Sequence, residues 1–258
     1  MKIARFSTDS DPRYGIVDGD DLVVLAGDPM FSGFQTTSER VPLDSVKLLA
    51  PVIPRSKVVC VGLNYADHGD ELHSDSPETP LLILKPNTTI IGPGDPIQLP
   101  PVEGRIVHEG ELAVIIGRIA KQIKAEDYAD YVFGYTVAND VSARDVMFAD
   151  GQWARGKGYD TFCPIGPVIE TELDTSALEI STFVDGEPRR HGNTKDMIHS
   201  IGEIIAFASD VWTLLPGDIV LTGTPPGLGG FVDGQTVDIT IDGIGTLSNP
   251  ARNRPEVS

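Results

Sequence analysis

The sequence predicts a mostly β α+β protein with a small N-terminal β domain ahead of a larger β-rich domain. Glycine and proline, 27 and 20 of the 258 residues, fall between short apolar runs, a pattern typical of many strands joined by tight turns. Helical periodicity is pronounced over residues 195–214 only, just before Pro216-Gly217. Asp-Gly pairs, which favour two-residue hairpin turns, lie between segments of β character at Asp18-Gly19, Asp185-Gly186, Asp233-Gly234 and Asp242-Gly243.

The first 50 residues form the predicted N-terminal domain. A strand over residues 2–6 precedes a hairpin that turns at Asp18-Gly19 and runs to Leu25. Pro51 and Pro54 are typical of a linker, so the larger domain is placed at residues 55–254. Within it, shorter helices are predicted near residues 65–73 and 145–153, in addition to the long one.

Composition and charge exclude several classes of protein. The chain carries 38 acidic and 20 basic side chains, a formal net charge of −18, which argues against a nucleic-acid partner. The apolar runs are too short to span a membrane, and the first five residues lack an apolar signal core. Cys60 and Cys163 form neither a disulfide framework nor a zinc-like spacing, so we expect inert core residues. We therefore expect a soluble, cytoplasmic protein that binds neither nucleic acid nor membrane.

The first candidate site is the pair Glu109 and Glu111, which opens an apolar run. Side chains of a strand alternate between its two faces, so these carboxylates point the same way. Two like charges this close favour a shared proton, a basic side chain or a metal ion between them. The alternative is a solvated strand edge with two surface glutamates.

A third carboxylate, Asp140, follows another apolar run of β character. Functional side chains are common at the end of a strand, although an aspartate that only makes a turn is the alternative here. The pattern Ser142-x-x-Asp145 predicts a capping box for the helix that follows. Three carboxylates with no grouped Cys or His suit Mg²⁺ or Mn²⁺ and are a poor site for zinc.

His68 and Glu71 form a possible general acid/base pair. On a helix, residues three positions apart are neighbours, so the Glu71 carboxylate would orient the His68 imidazole and raise its basicity. The alternative is a contact between two surface side chains. The sequence has no nucleophile elbow and no glycine-rich phosphate-binding motif.

Basic groups are scarce in this acidic chain, which gives weight to Arg144 and Lys157. An anionic substrate needs local positive charge, and these two side chains would supply it beside a metal ion. The alternative is that each pairs with a nearby aspartate. Thr224 lies in a Gly/Pro-rich turn whose backbone N–H groups and hydroxyl suit a carboxylate, although a structural turn explains the glycines equally well.

Together these segments resemble the fumarylacetoacetate hydrolase superfamily, whose members cleave, decarboxylate or isomerise 2-oxo and 2,4-dioxo acids. The resemblance spans roughly residues 55 to 250. Six motifs occur in the family's order: Gly62-Leu-Asn-Tyr-Ala-Asp-His68, Leu84-Lys-Pro86, His108-Glu-Gly-Glu111, Asn139-Asp-Val-Ser-Ala-Arg-Asp145, Lys157-Gly-Tyr-Asp-Thr161 and Thr222-Gly-Thr-Pro225.

The resemblance implies a mixed β-sandwich roll, a homodimer and a bound Mg²⁺ or Mn²⁺. It also implies that His68 and Glu71 are similar to the lid pair of short-chain acylpyruvate hydrolases and oxaloacetate decarboxylases. The implied metal ligands are Glu109, Glu111 and Asp140, and the implied substrate-binding or catalytic residues are Lys157, Arg144 and Thr224. Many relatives carry a glutamine where this chain has Met147, and Gln152 is the candidate substitute for it in binding substrate.

We therefore expect cleavage of the C3 bond of a small anionic 2-oxo acid. Decarboxylation of oxaloacetate to pyruvate and carbon dioxide is the first expectation, and hydrolysis of acylpyruvates is the second. The alternative within the family is a 2-hydroxyhepta-2,4-diene-1,7-dioate isomerase or decarboxylase. An alternative of another class is a non-catalytic relative that binds a carboxylate, which the Met147 substitution would favour.

Overall fold

A computed structural model of the chain describes residues 1–8, 11–66, 77–227 and 229–255. It confirms the predicted mostly β α+β fold with an N-terminal β unit. A twelve-stranded sheet and a five-stranded sheet form its framework. Among the described residues, no helix has the length and apolar character needed to cross a membrane.

The N-terminal strands extend the large sheet. The first strand, Lys2–Ser7, pairs with the second, Arg13–Asp18, on one side and with the distant strand at residues 163–170 on the other. The hairpin predicted at Asp18-Gly19 is present, because Asp18 pairs with Asp21 and Gly19 takes a positive φ of 63°. The strands are β1 (Lys2–Ser7), β2 (Arg13–Asp18), β3 (Asp21–Leu25), β4 (Thr36–Pro42) and β5 (Lys47–Leu49).

The middle of the chain supplies the strands that carry the candidate site. They are β6 (Val58–Gly62), β7 (Leu81–Lys85), β8 (Ile90–Ile91), β9 (Ile97–Leu99), β10 (Ile106–Val107), β11 (Gly110–Ile116), β12 (Val132–Asn139), β13 (Ser142–Ala143) and β14 (Cys163–Glu170). The last five are β15 (Glu179–Val184), β16 (Glu187–Asn193), β17 (Ile219–Leu221), β18 (Thr236–Ile241) and β19 (Gly245–Asn253). The large sheet runs in the order β4-β3-β2-β1-β14-β12-β11-β17-β6-β7, with β5 beside β1 and β8 beside β14.

The central strands of the large sheet are buried on both faces. In β11, Leu112 and Val114 pack into a large core cluster shared with the five-stranded sheet, while Ala113 and Ile115 pack into a smaller cluster on the opposite face. This explains the continuous apolar run in the sequence. Glu111 is two residues before Ala113, so it lies on the face of the smaller cluster.

The five-stranded sheet has the order β16-β15-β18-β19-β9. Asp185-Gly186 and Asp242-Gly243 join its hairpins as predicted. At the fourth pair, Asp233-Gly234, Gly234 has a positive φ of 88°, but the turn precedes β18 and joins no second strand among residues 229–255. A positive φ needs only a tight turn, so the dipeptide alone does not identify a hairpin.

The α-helices of the described residues are α1 (Pro29–Ser32), α2 (Arg144–Asp150), α3 (Ala154–Lys157) and α4 (Ile201–Val211). The prediction for residues 195–214 is therefore too long, because Ser200 caps α4 through a capping box with Glu203 and so fixes its start. The capping box predicted at Ser142 is absent, since Ala143 is the N-cap of α2 and Asp145 accepts from the Arg105 backbone instead. The predicted helix over residues 65–73 lies largely outside the described residues.

Candidate active site

Strand pairing brings the three candidate carboxylates to one end of the large sheet. Gly110 in β11 is paired with Asn139 in β12, so Glu109 and Asp140 are neighbours just beyond the two strand ends. The Asp140 backbone N–H donates to the Glu109 carbonyl at 2.8 Å. One carboxylate oxygen each from Glu109, Glu111 and Asp140 lies within 4.8 Å of the others. The structure thus groups the three acids that the sequence singled out.

Two of these three acids are almost completely buried. Glu111 and Asp140 are each 2% exposed. Burial, and secondly the charge of Asp140, raise the pKa of Glu111 well above its ordinary value. Burial alone would also raise the pKa of Asp140, but the ammonium groups of Lys157 and Lys85 outweigh it and hold that pKa below its ordinary value.

Lys157 lies among the carboxylates at the end of α3. Its Nζ donates to Glu109 Oε2 at 2.8 Å, to Asp140 Oδ2 at 2.6 Å and to Ser142 Oγ at 2.9 Å. Burial would lower the pKa of Lys157, yet the charges of Asp140 and Glu109 outweigh it and raise the pKa. Lys157 is therefore charged at neutral pH and contacts two of the three acids.

A second buried lysine, Lys85, was not among the predicted site residues. Its Nζ donates to Asp140 Oδ1 at 2.5 Å and to the Val141 carbonyl at 3.2 Å. Lys85 ends strand β7, and it shares the strand face of Ile83, which packs against the smaller core cluster. A lysine that ends an apolar strand was the available signal, but sequence alone does not show which acid it meets.

His108 adds no positive charge to the site. Its ring is fully buried, and burial followed by the charge of Arg190 lowers the pKa of His108 to about 4. The imidazole is therefore neutral at neutral pH, although it directly precedes Glu109. The two lysines supply positive charge by direct contact with Asp140 and Glu109.

The residues present fit a divalent cation. Three carboxylates converge. The hydrogen bonds seen to them from side chains and backbone of the described residues include those of two ammonium groups and of the Gly223 N–H, which donates to Glu111 Oε2 at 2.7 Å. Like charges held this close in a buried place favour a further cation. All donors are oxygen, which suits Mg²⁺ or Mn²⁺. A bound ion would share or replace the contacts that Lys157 makes with Glu109 and Asp140.

The acids open into a cleft with a charged floor and an apolar side. Glu109, Glu111 and Lys157 line it together with Arg144, whose guanidinium carbon lies 5.5 Å from the centre of the Phe148 ring. The apolar side is made by residues that include Leu63, Met147, Phe148 and Trp153. Leu63 has a φ of 58°, an uncommon backbone conformation for a leucine that recurs at functional sites.

Thr224 also lines this cleft, and its hydroxyl is already engaged. Its Oγ1 donates to the Gly110 carbonyl at 3.0 Å and accepts from Arg190 Nη1 at 2.7 Å. Arg190 is 4% exposed and comes from β16 in the other sheet. It thereby fixes the turn that carries Thr224, a role that no local pattern around Arg190 indicated.

Gln152 is not among the residues that line the cleft. Its Oε1 accepts from the Ala154 backbone at 3.0 Å, and it borders a neighbouring apolar groove with Leu81 and Trp212. His68 and Glu71 lie outside the described residues, so their pairing stays a prediction. The structure brings together Glu109, Glu111, Asp140, Lys157, Arg144 and Thr224.

Comparison with known proteins identifies the relatives of this chain. A mitochondrial oxaloacetate tautomerase, Fahd2a of Rattus norvegicus, is 44% identical over 81% of this chain and 70% of its own length. The solved 5-carboxymethyl-2-hydroxymuconate delta-isomerase of Mycobacterium smegmatis is 46% identical, with a TM-score of 0.92 over 98% of this chain and 100% of that chain. Maleylpyruvate hydrolase of Sphingobium sp. SYK-6, solved with manganese(II) and pyruvate, is 34% identical, with a TM-score of 0.83 over 99% and 100%.

Family profiles match nearly the whole chain. The profile described as Rv2993c-like, N-terminal matches residues 1–51. The profile described as Fumarylacetoacetate (FAA) hydrolase C-terminal matches residues 57–252, which include every described residue of the cleft. The chain therefore belongs to the fumarylacetoacetate hydrolase family.

Proposed function

We propose that this protein uses a divalent metal ion to cleave the C3 bond of a small 2-oxo acid. Decarboxylation of oxaloacetate to pyruvate and carbon dioxide is the simplest such reaction, and hydrolysis of acylpyruvates is the second. The observation that carries the proposal is the convergence of Glu109, Glu111 and Asp140 beside two lysines. The relative solved with manganese(II) and pyruvate supports both the ion and the class of acid.

Glu109, Glu111 and Asp140 would hold Mg²⁺ or Mn²⁺, which when bound supplies Lewis-acid activation of a 2-oxo group. Lys157 keeps its proton at Nζ and neutralises negative charge that develops on the substrate as the C3 bond breaks. Arg144, at the cleft wall, binds the distal anionic group of the substrate. The apolar side of the cleft limits water around the reacting carbon, which strengthens these electrostatic interactions.

The two reactions differ in what else they need. Loss of carbon dioxide from C3 leaves an enolate directly, so decarboxylation requires no nucleophile. An acyl group at C3 must first be attacked by water, and we assign the activation of that water to His68, oriented by Glu71. The hydrolase activity therefore depends on a pair of residues that decarboxylation does not use.

A second candidate is isomerisation, in which a proton is removed from the intact acid to give an enolate with its charge on the 2-oxo oxygen, and a proton is then added at a different atom, so that no carbon–carbon bond breaks. The relatives named as an oxaloacetate tautomerase and a hydroxymuconate isomerase favour it, since each is more than 40% identical to this chain. The metal ion held by the three acids would serve that reaction equally, and so would Lys157, because both reactions place negative charge on the 2-oxo oxygen of the substrate. We also propose a homodimer, as the family resemblance implies.

The direct test is turnover of three substrates by the purified, Mn²⁺-loaded protein. Oxaloacetate, acetylpyruvate and 2-hydroxyhepta-2,4-diene-1,7-dioate are followed by the loss of enol or diene absorbance, with product analysis to separate cleavage from isomerisation. Rates with Mn²⁺ alone are subtracted, because free metal ions decarboxylate oxaloacetate slowly. Cleavage products support the proposal, isomers support the second candidate, and inertness toward all three rejects both.

A further inference from the structure

The two oxygens of Asp140 are held by two different lysines, one at the end of strand β7 and one at the end of α3. Oδ2 accepts from Lys157 at 2.6 Å, on the side where Lys157 also contacts Glu109. Oδ1 accepts from Lys85 at 2.5 Å, away from the cleft. Lys157 lines the cleft and Lys85 does not, so only one of these contacts is within reach of a ligand.

Lys85 is shielded from solvent throughout its length. Its side chain is 0% exposed, and it enters the smaller core cluster on the face of Ile83. The thiols of Cys60 and Cys163, both in that cluster, lie close enough for the charge of Lys85 to act on them. Lys85 therefore cannot touch a substrate, and it contacts the site through Asp140 and the adjacent Val141 carbonyl.

We propose that Lys85 is a positioning residue that fixes the Asp140 carboxylate with Oδ2 on the side where Lys157 also contacts Glu109. By binding Oδ1 and the Val141 carbonyl together, its ammonium ties the side chain to the backbone that follows it. Without Lys85, the carboxylate is held by Lys157 at Oδ2 but is free to rotate about that contact, and Oδ1 is left without a partner beside an apolar core. Loss of such an orienting partner typically weakens metal binding about 10- to 100-fold. This inference rests on the proposed metal site.

The chain offers a control in a second lysine–aspartate pair, in which the aspartate is buried and the lysine is 17% exposed. Lys57 Nζ donates to Asp218 Oδ2 at 2.7 Å, and the Asp218 side chain is 0% exposed. Neither residue lines the cleft. Lys57→Met thus removes a comparable ion pair from a place where no role in metal binding is proposed.

The experiment titrates Mn²⁺ into the full-length wild type, Lys85→Met and Lys57→Met, following free Mn²⁺ by electron paramagnetic resonance. We expect both variants to unfold at a lower temperature, and only Lys85→Met to bind Mn²⁺ at least about tenfold more weakly. A merely structural role for Lys85 would lower the unfolding temperature and leave the Kd alone. Lys85→Gln, which keeps a shorter N–H donor, is measured in the same way if Lys85→Met does not fold.

A folded Lys85→Met or Lys85→Gln protein that binds Mn²⁺ with the wild-type Kd overturns the positioning role. Equal weakening in Lys57→Met overturns it too, because the effect would then be a general loss of stability. Wild-type protein that binds no Mn²⁺ is a different result: it rejects the proposed metal site itself, and the role of Lys85 with it.

Discussion

Buried acids lie at both ends of strand β17, but the number of hydrogen-bond donors for each acid differs between the two ends. Before the strand, the carboxylate of Asp218 accepts from the backbone N–H groups of Ser56, Lys57 and Leu215, from the Ser56 hydroxyl and from Lys57 Nζ, all between 2.7 and 3.1 Å. One buried negative charge thus meets five donors. These bonds tie the linker before β6 to the loop before β17, so the role of Asp218 is structural.

Beyond the other end of β17, three acids share fewer hydrogen-bond donors within the part of the chain that the structure describes. Glu111 accepts one backbone bond, from Gly223, while Asp140 and Glu109 depend on lysines. A carboxylate whose oxygens are fully hydrogen-bonded stabilises the fold. Crowded carboxylates with fewer donors retain negative charge and oxygen lone pairs that can bind a cation. We infer from this difference that burial alone does not identify a candidate functional acid, and that the balance between acids and hydrogen-bond donors is a better guide.

The largest expected effect is on catalysis at the end of β17 where the three acids lie, which we call the crowded end. In Asp140→Ala or Glu109→Ala, loss of a ligand oxygen should lower kcat/KM for the turned-over substrate about a thousandfold, since metal activation supplies several kcal/mol. Steady-state assays at saturating Mn²⁺ measure it. Asp218→Asn is the matched control, and its kcat/KM should match the wild type; an equal fall in that variant would erase the distinction between the two ends.

At the end of β17 where Asp218 lies, which we call the compensated end, the expected effect is on the stability of the fold. Asp218→Asn should lower the free energy of unfolding by about 3 kcal/mol, because it breaks a buried ion pair and disturbs several backbone bonds. Urea unfolding with an unchanged m-value checks this. A loss below about 0.5 kcal/mol would show that the five contacts contribute little and that Asp218 is not the structural counterpart of the site.

A smaller effect distinguishes the two cleavage reactions within the site. His68→Ala should lower acylpyruvate hydrolysis about a hundredfold, the usual contribution of a general base, while oxaloacetate decarboxylation falls much less. Comparing kcat for both substrates in one preparation is the measurement. Equal losses would mean that His68 does not activate water and acts on both reactions in some other way.

The smallest expected effect is on how the stability of the protein changes at low pH. Burial would raise the pKa of Asp218, but its bonds from Lys57, Leu215 and Ser56 outweigh it and hold the pKa below the ordinary value of 3.8. When the pKa of a carboxyl group is lower in the folded state than in the unfolded state, its ionised form stabilises the folded protein at any pH above the unfolded-state pKa. This stabilisation is lost as the pH falls through the folded-state pKa. The stability difference between wild type and Asp218→Asn should therefore be constant above about pH 5 and shrink below pH 3.8. A difference that grows in acid would contradict the sign.

Much of this arrangement was predictable, because strand periodicity is local. The alternation of β11 placed Glu109 and Glu111 on one face, and the end of the apolar run placed Asp140 at a strand terminus. That these three acids meet depends on the pairing of Gly110 with Asn139, 29 positions apart, which spacing does not reveal and the family resemblance supplied.

The parts that sequence missed are long-range contacts of single side chains. Lys85 reaches Asp140 across 55 positions, and Arg190 reaches Thr224 across 34, each from a different strand. The start of α4 was wrongly predicted for a related reason. The apolar periodicity continues upstream of α4, but the Ser200 cap determines where the helix begins. Side-chain bonding, rather than hydrophobic pattern, decided all three.

The central claim is that the crowded end binds one divalent cation and the compensated end binds none. Mn²⁺ titration of wild type, Asp140→Asn and Asp218→Asn, followed by electron paramagnetic resonance, tests it directly. We expect one tightly bound Mn²⁺ per chain in wild type and Asp218→Asn, and a Kd weaker by about two orders of magnitude or more in Asp140→Asn. Binding that survives unchanged in Asp140→Asn, or no binding in the wild type, would contradict the account.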